Sequence, residues 1–270
     1  MPRISCIQFN PVLGDKGKNL NTVEQMLSKV TEDNVDLVVL PEFFSTGIDH
    51  YSFLNSPEDA QGGETIRRVR EWAARWRVNI VAGTVIEKEG DSEERKLYNT
   101  TFAIDRNGDI VAKYRKIHLF NFMGGTESSC ITPGDRYAIA DFDFGKVGLS
   151  ICYDSRYPQQ FRQLARMGAD LIVIPTAWCV PVTADLCQAE DIWLSMQKTR
   201  AYDNLVYVAS ANQIGRVEGR DILNIGHSIV ASPDGVILSN AGDKECVITA
   251  DIDLDVVRRY RQEYPIAEIE

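Results

Sequence analysis

The sequence predicts an α/β fold built from two similar halves. Short apolar runs of strand character alternate with amphipathic stretches of helical spacing, and such alternation implies layered strands and helices. Several runs are apolar throughout, as expected for strands covered on both faces. The chain also echoes itself: VDLVVLPEFF at 35–44 returns as ADLIVIPTAW at 169–178. NIVAG followed by FAIDRNGDIV returns, in the same order, as LVYVAS followed by IVASPDGVIL. So long a period points to a duplicated half rather than a solenoid, whose units run to ~20–50 residues.

The elements follow in order. RISCIQF reads as a first strand, and MPRISCIQFNPV has no long apolar stretch of the secretory-signal type. Leu20, Val23, Leu27 and Val30 recur at helical spacing and predict a helix over 17–30. DLVVLP is a buried strand. Ile66, Val69, Ala73 and Trp76 predict a second helix over 64–77. NIVAGTVI and NTTFAID are strands, and IVAKYRKIHLF is treated as another. Residues 120–135, FNFMGGTESSCITPGD, form the longest irregular stretch, and long loops in compact domains are often functional. Beyond it lie KVGLSIC, a helix over 159–167, DLIVIP, a helix over 189–203, and the strands LVYVASA, HSIVAS and CVITADI. No Pro/Ser-rich linker divides the halves, so residues 1–270 are expected to form one domain. The tail QEYPIAEIE is expected either to cross to a partner subunit or to fray.

Composition narrows the function classes. Of 270 residues, 44% are apolar and 25% charged, an ordinary globular balance. A chain of this length can bury a core without disulfides or metals. No apolar stretch approaches the ~20 residues that span a membrane, so no membrane partner is expected. A net charge of −10 argues against nucleic acid as a partner. The six cysteines include no C-x-x-C pair, and the three histidines, His50, His118 and His227, are scattered. Neither a zinc site nor a disulfide framework is supported. Free thiols in a reducing cytoplasm, with no metal, are the expectation.

Four residues could do chemistry. Glu42 follows an apolar strand and a proline, at the carboxyl edge where open α/β sheets place ligands. Phe43 and Phe44 would desolvate it and raise its pKa, which suits a general base; a solvated strand-end glutamate is the competing reading. In IVAKYRKIHLF, Ala112, Tyr114 and Lys116 share one strand face and Lys113 and Arg115 the other. Lys116 can therefore point inward and hold an oxyanion, although a solvated basic run is the simpler reading of the segment alone. Glu127 lies in the long loop, and by itself says little. Cys152 ends KVGLSIC, and Tyr153, Asp154, Arg156 and Pro158 follow before FRQLAR turns helical. A strand-to-helix turn presents N–H groups to an anion, and a thiolate there is a nucleophile. Without a base, a buried cysteine is inert packing, so SICYDSRYP alone leaves both readings open. His118 and His227 read as structural residues and His50 as a loop residue.

Together these segments resemble the nitrilase superfamily of carbon–nitrogen hydrolases. LPEFFSTG, KYRKIHLF, TESSCITPGD, GLSICYDSRYPQQFRQLARMGADLIVIP, RAYDNLVYVASAN and GHSIVASPDG carry the resemblance along nearly the whole chain. It implies a four-layer αββα sandwich with two pseudo-symmetric halves. It also implies Glu42 as general base, Lys116 as oxyanion stabiliser, Cys152 as nucleophile and Glu127 as the second glutamate that positions substrate and lysine. The Tyr153 backbone N–H is then a second oxyanion donor. By family position, Trp178 and Cys179 are expected to line the pocket, their bulk suiting a small or flat acyl group; packing at a core or dimer contact is the other reading of Trp178. Relatives often carry Gly-Tyr after the first glutamate where this chain has Gly47-Ile48, and Tyr51 is the candidate to compensate. CYDSRYP looks more like the C-Y-D-x-R-F-P amidase branches, omega-amidases among them, than like true nitrilases with Trp-Glu after the cysteine.

The expected function is hydrolysis of a small carboxamide to acid and ammonia through a cysteine thioester, without a cofactor, in a cytoplasmic homodimer or larger homo-oligomer. An N-carbamoyl amidohydrolase or a nitrilase is the nearest chemical alternative. A catalytically silent binding protein, or a thiol redox sensor using Cys130 or Cys179 to resolve Cys152, are the alternatives of a different class.

Overall fold

The structure is a computed structural model that describes residues 1–55, 57–59, 63–90, 95–121 and 126–264. The chain opens with β1 (Arg3–Gln8), α1 (Lys16–Val30), β2 (Leu37–Val39), α2 (His50–Asn55), α3 (Glu64–Trp76) and β3 (Asn79–Val81). The antiparallel strands β4 (Val85–Glu89), β5 (Lys96–Ile104) and β6 (Ile110–Arg115) complete this half. The second half runs through β7 (Ala138–Phe142), β8 (Gly145–Leu149), α4 (Pro158–Arg166), β9 (Leu171–Thr176), β10 (Cys179–Pro181) and α5 (Leu186–Asn204). Then come β11 (Tyr207–Asn212), β12 (Ile214–Arg216), β13 (Ile222–Ile225), β14 (Ile229–Ala231), β15 (Ile237–Asn240), β16 (Cys246–Asp251) and α6 (Leu254–Glu263).

The sequence echo becomes two sheets of like construction. In the first, β1, β2 and β3 are parallel neighbours joined through α1 and α3, with antiparallel β16 on one side and β5 on the other. In the second, β8, β9 and β11 are parallel neighbours joined through α4 and α5, flanked by antiparallel β7 and β14. Side-chain alternation then sorts residues into layers. Ile4, Cys6, Leu37 and Val39 meet Leu149, Val173 and Ala209 between the sheets. Ile7, Val38 and Ile80 point outward onto Leu20, Val23, Val69 and Trp72 of α1 and α3. Ile172 and Val208 point outward onto Phe161, Leu164 and Ala201 of α4 and α5. The result is the expected four-layer αββα sandwich, which strands apolar on both faces require.

Helix boundaries fall within a few residues of the spacing. Asp15 caps α1 by accepting from Lys18 N at 3.0 Å, and Asp185 starts α5 by accepting from Gln188 N at 3.2 Å. NIVAGTVI is not one strand. It breaks into β3 and β4, both paired to β5, because Gly83 takes φ +51° between them. The short α2 and the β10–β13–β12 sheet were invisible to periodicity. Residues 122–125 of the long loop and 265–270 of the acidic tail, the end expected to cross or fray, lie outside the described residues. Among the described residues, no helix is long and apolar enough to cross a membrane.

Candidate active site

The pseudo-symmetric strand ends meet at Glu42. Glu42 follows β2 and Pro41, and its backbone N–H donates to the Thr176 carbonyl at 3.3 Å. Thr176 ends β9, the counterpart of β2 in the other half. Gln213 Nε2 donates to the Glu42 carbonyl at 2.6 Å, and Phe43 N donates to Thr84 Oγ1 at 3.0 Å. Phe43 is held at φ +50°, unusual for a bulky residue, and this turns the chain so that Glu42 faces inward.

Lys116 comes one residue after β6, and the expected strand alternation places it. Tyr114 and Lys116 are buried, whereas Arg115 and Lys113 lie on the other face. That other face is not merely solvated: both cations pair with the buried Glu87, at 2.8 and 2.7 Å. Lys116 Nζ lies 3.0 Å from Glu42 Oε1 and 2.9 Å from Glu127 Oε2. Glu127, far from exposed, opens a 3-10 turn (Glu127–Ser129) and is 7% accessible; Phe120 N donates to its Oε2 at 2.8 Å. The Ala177 N–H donates to Glu42 Oε2 at 3.0 Å.

Cys152 begins a second 3-10 turn, Cys152–Arg156, at φ +44° and is buried. Asp154 holds that turn. Its carboxylate accepts from Ile151 N at 2.9 Å, Tyr114 OH at 2.7 Å and His118 N at 3.0 Å. Asp154 is fully buried and faces away from the cavity described below. It therefore bears on the chemistry only by fixing the backbone around Cys152 and Lys116.

The electrostatics keep a neutral thiol beside a reluctant carboxylate. Burial pushes the Glu42 carboxyl above its usual range; the Lys116 ammonium pulls it down and Glu127 pushes it up again, for a net rise. Burial works to lower the Lys116 pKa, but Glu127 and Glu42 outweigh it and hold the ammonium well above its ordinary value. Burial, and then the Glu42 charge, push the Cys152 thiol well up against the pull of Lys116. A thiol, a carboxylate to take its proton and a fixed ammonium for a nascent oxyanion form a set able to attack a carbonyl. Among the described residues, no group of three or more His, Cys, Asp or Glu side chains is arranged to hold a metal ion.

Glu42, Lys116, Glu127 and Cys152 line one cavity of about 300 Å³. Tyr153, Trp178 and Cys179 also line it. Trp178 packs on Trp193 as well, ring centroids 5.1 Å apart, so its lining and packing readings both hold. Tyr51 does not line the cavity. It is 75% exposed on α2, a turn that points His50 and Phe53 inward instead, beside Ile48 from the preceding loop. His50 is thus a wall residue rather than a bystander in a loop. Strands β10 and β13 supply Val180, Pro181 and Ile222 to the opposite wall. Sequence reasoning also missed Asn99, which donates to both glutamates. A polar residue that strands disfavour, inside the apolar run KLYNTTFAI, was the available signal.

The chain resembles known proteins over nearly its whole length. The carbon-nitrogen hydrolase family profile matches residues 3–262. The chain is 32% identical to omega-amidase NIT2 of Xenopus tropicalis and 31% identical to that of Homo sapiens; each alignment covers 98% of this chain and 93% of the relative. The crystal structure of Saccharomyces cerevisiae Nit3, a member of branch 10 of the nitrilase superfamily, superposes with a TM-score of 0.84 at 29% identity, covering 98% of this chain and 94% of that one. With that family match over nearly all its length, and with its two-sheet sandwich, the chain belongs to the carbon–nitrogen hydrolases of the nitrilase superfamily.

Proposed function

We propose that this enzyme hydrolyses the terminal amide of a small carboxamide, giving a carboxylic acid and ammonia through a thioester on Cys152. The observation that carries the reading is the buried Glu42–Lys116–Glu127 cluster set against the Cys152 thiol in one cavity.

Glu42 takes the thiol proton as Sγ attacks the amide carbon. The S–C bond forms and the carbonyl π pair moves to oxygen. The Lys116 ammonium and the Tyr153 backbone N–H stabilise that oxyanion, while Glu127 keeps Lys116 charged and in place. The tetrahedral intermediate collapses, Glu42 returns its proton to the leaving nitrogen, and ammonia departs. Water then gives Glu42 a proton and adds to the thioester, and collapse of the second intermediate frees the acid and restores the thiol.

The cavity limits substrate size, and its mouth carries Arg156 and Arg220. Both favour an acyl group ending in a carboxylate, in keeping with relatives named omega-amidases.

Ammonia release from a panel of small amides, nitriles and N-carbamoyl compounds tests the reading, with Cys152→Ala alongside and intact-mass trapping of an acyl adduct on Cys152. Turnover of amides, lost in Cys152→Ala, is the expected result. Preference for nitriles or N-carbamoyl compounds overturns the amidase assignment, and unchanged turnover in Cys152→Ala overturns the nucleophile. Reversible oxidation of Cys152 without any ammonia release would point to a redox sensor instead.

A further inference from the structure

Asn99 touches every charged member of the cluster. Its side-chain Nδ2 donates to Glu42 Oε1 at 2.8 Å and to Glu127 Oε1 at 2.9 Å. Its backbone carbonyl accepts from Lys116 N at 2.9 Å. Chemistry fixes the amide's orientation, since the flipped form would set an oxygen against two carboxylate oxygens. The same orientation leaves Asn99 Oδ1 buried with no hydrogen-bond partner among the described residues. A buried acceptor left unpaired is unfavourable, so packing alone does not account for an asparagine here.

The two oxygens of Glu42 are not equivalent. Oε1 accepts from Asn99 Nδ2 and from Lys116 Nζ, at 2.8 and 3.0 Å, which occupies both of its lone pairs. Oε2 accepts one backbone donor, Ala177 N, at 3.0 Å, and the Cys152 thiol lies beside the Glu42 carboxyl in the same cavity. We propose that Asn99 is a positioning residue that divides the labour of Glu42: with Lys116 it saturates Oε1, so that Oε2 receives the Cys152 proton. The S–H bond breaks, its electron pair stays on sulfur, and the O–H bond forms on Oε2. The proposal rests on Cys152 as nucleophile and Glu42 as its base.

The titratable groups facing Glu42 are Lys116 after β6, Glu127 in its 3-10 turn, Cys152 in the next, and Cys179 on β10. His50, Arg156 and Arg220 face the same cavity. Changes at Asn99 leave each of these groups chemically intact. Because its donation favours the carboxylate form of Glu42, losing it raises the pH at which the thiol–carboxylate pair first gives up a proton.

Iodoacetamide alkylation of Cys152, followed across pH by peptide mass mapping, reads this without any substrate. Asn99→Ala is expected to move the acidic limb up by about one pH unit, or roughly tenfold slower alkylation on the acid side, the size of one charge-assisted hydrogen bond. The isosteric Asn99→Asp places a third carboxyl beside two others and is expected to move it further. Melting curves show whether each variant is folded. A limb unchanged in a folded variant, a smaller shift in Asn99→Asp than in Asn99→Ala, or failure of both to fold, leaves Asn99 as packing and overturns the proposal. If wild-type alkylation has no acidic limb, the base assignment of Glu42 falls as well; if only the variants fail to shift, that assignment stands.

Discussion

Asp154 and His118 are joined twice: the His118 backbone N–H donates to Asp154 Oδ1 at 3.0 Å, and its ring Nδ1 lies 2.8 Å from the same oxygen. The other carboxylate oxygen accepts from Ile151 N and Tyr114 OH. Asp154 therefore ties the Cys152 turn to the strand end that presents Lys116. Asp154→Ala leaves several buried donors unpaired, at about 1–3 kcal/mol each. Thermal melts are expected to show clear destabilisation, and kcat/KM for the best amide to fall by roughly a hundredfold or more through misplacement of Cys152, the proposed nucleophile. Wild-type activity in Asp154→Ala would remove the clamp from the account.

Gly83 is a second place where backbone shape sets the chemistry. At φ +51°, a Cβ there would overlap the Pro41 carbonyl and lie 2.7 Å from Phe44 Cδ1. Either Gly83→Ala forces the Pro41–Phe44 turn outward, taking Glu42 with it, or β3 and β4 shift. Destabilisation of about 1–3 kcal/mol by urea titration, with reduced turnover in the folded fraction, is expected. A stable and fully active variant would contradict the close approach.

The pH dependence of turnover follows from the cluster. Because burial raises Glu42, and Glu127 adds to the rise over the pull of Lys116, the base of the proposed mechanism takes up its proton at a higher pH than an ordinary glutamate. The acidic limb of kcat/KM should lie above the usual ~4.3. Lys116 is held well above its usual value, so it should stay charged beyond the ordinary lysine range of ~10.4. Glu42→Gln should abolish the acidic limb along with most activity; a limb retained in that variant would assign it to another group.

Glu87 does not line the cavity and is buried against two cations. Burial works to raise its pKa, but hydrogen bonds from Arg115, Lys113 and Thr100 prevail and hold it below the usual range. A carboxyl lowered on folding stabilises above its unfolded pKa of ~4.3 and loses that contribution as pH falls through the folded value. Glu87→Gln, which leaves Lys113 without its carboxylate and Arg115 with Glu89 alone, should cost about 3 kcal/mol at pH 7. The gap from wild type should narrow below about pH 4. A pH-independent gap would mean that the charge is irrelevant.

The reach of the sequence ends where side chains stop obeying periodicity. Strand runs and helix spacing carried the layers, because which face is apolar decides which layer a residue joins. Glu42, Lys116 and Cys152 stand out because each breaks or ends an apolar run. Glu127 was nearly silent, since a loop glutamate becomes buried only when the Phe120 N–H and Lys116 come to meet it. Tyr51 was misplaced because the α2 turn, too short to show a period, rotates it into solvent. Asn99 could be seen as odd, but not as a bridge, until two glutamates distant in sequence converged on its amide.

Arg156 and Arg220 offer the sharpest test of what the cavity accepts. Glu42 and Glu127 share the single Lys116 ammonium and the neutral Asn99 amide, which leaves that cluster one negative charge, and Arg156 and Arg220 turn the sum of charges around the cavity positive although the chain as a whole carries −10. Neither arginine forms an ion pair with an Asp or Glu among the described residues. Arg156 instead lies over Trp178, 5.1 Å from the ring centroid, and over Tyr153 at 5.8 Å. That stacking holds its guanidinium at the rim, where a carboxylate can be met by two donors. Arg220 reaches the mouth from the loop between β12 and β13. Arg156→Gln and Arg220→Gln should each raise KM about tenfold or more for an amide bearing a distal carboxylate, the size of one charged hydrogen bond. For a neutral amide of similar length the change should stay within about threefold, because the thiol, its base and the ammonium remain in place. Salt should weaken binding of the anionic amide in wild type more than in the variants, since the screened interaction is the one removed. Equal losses for charged and neutral amides would assign the two arginines to the shape of the cavity and would leave the acyl group's charge unspecified.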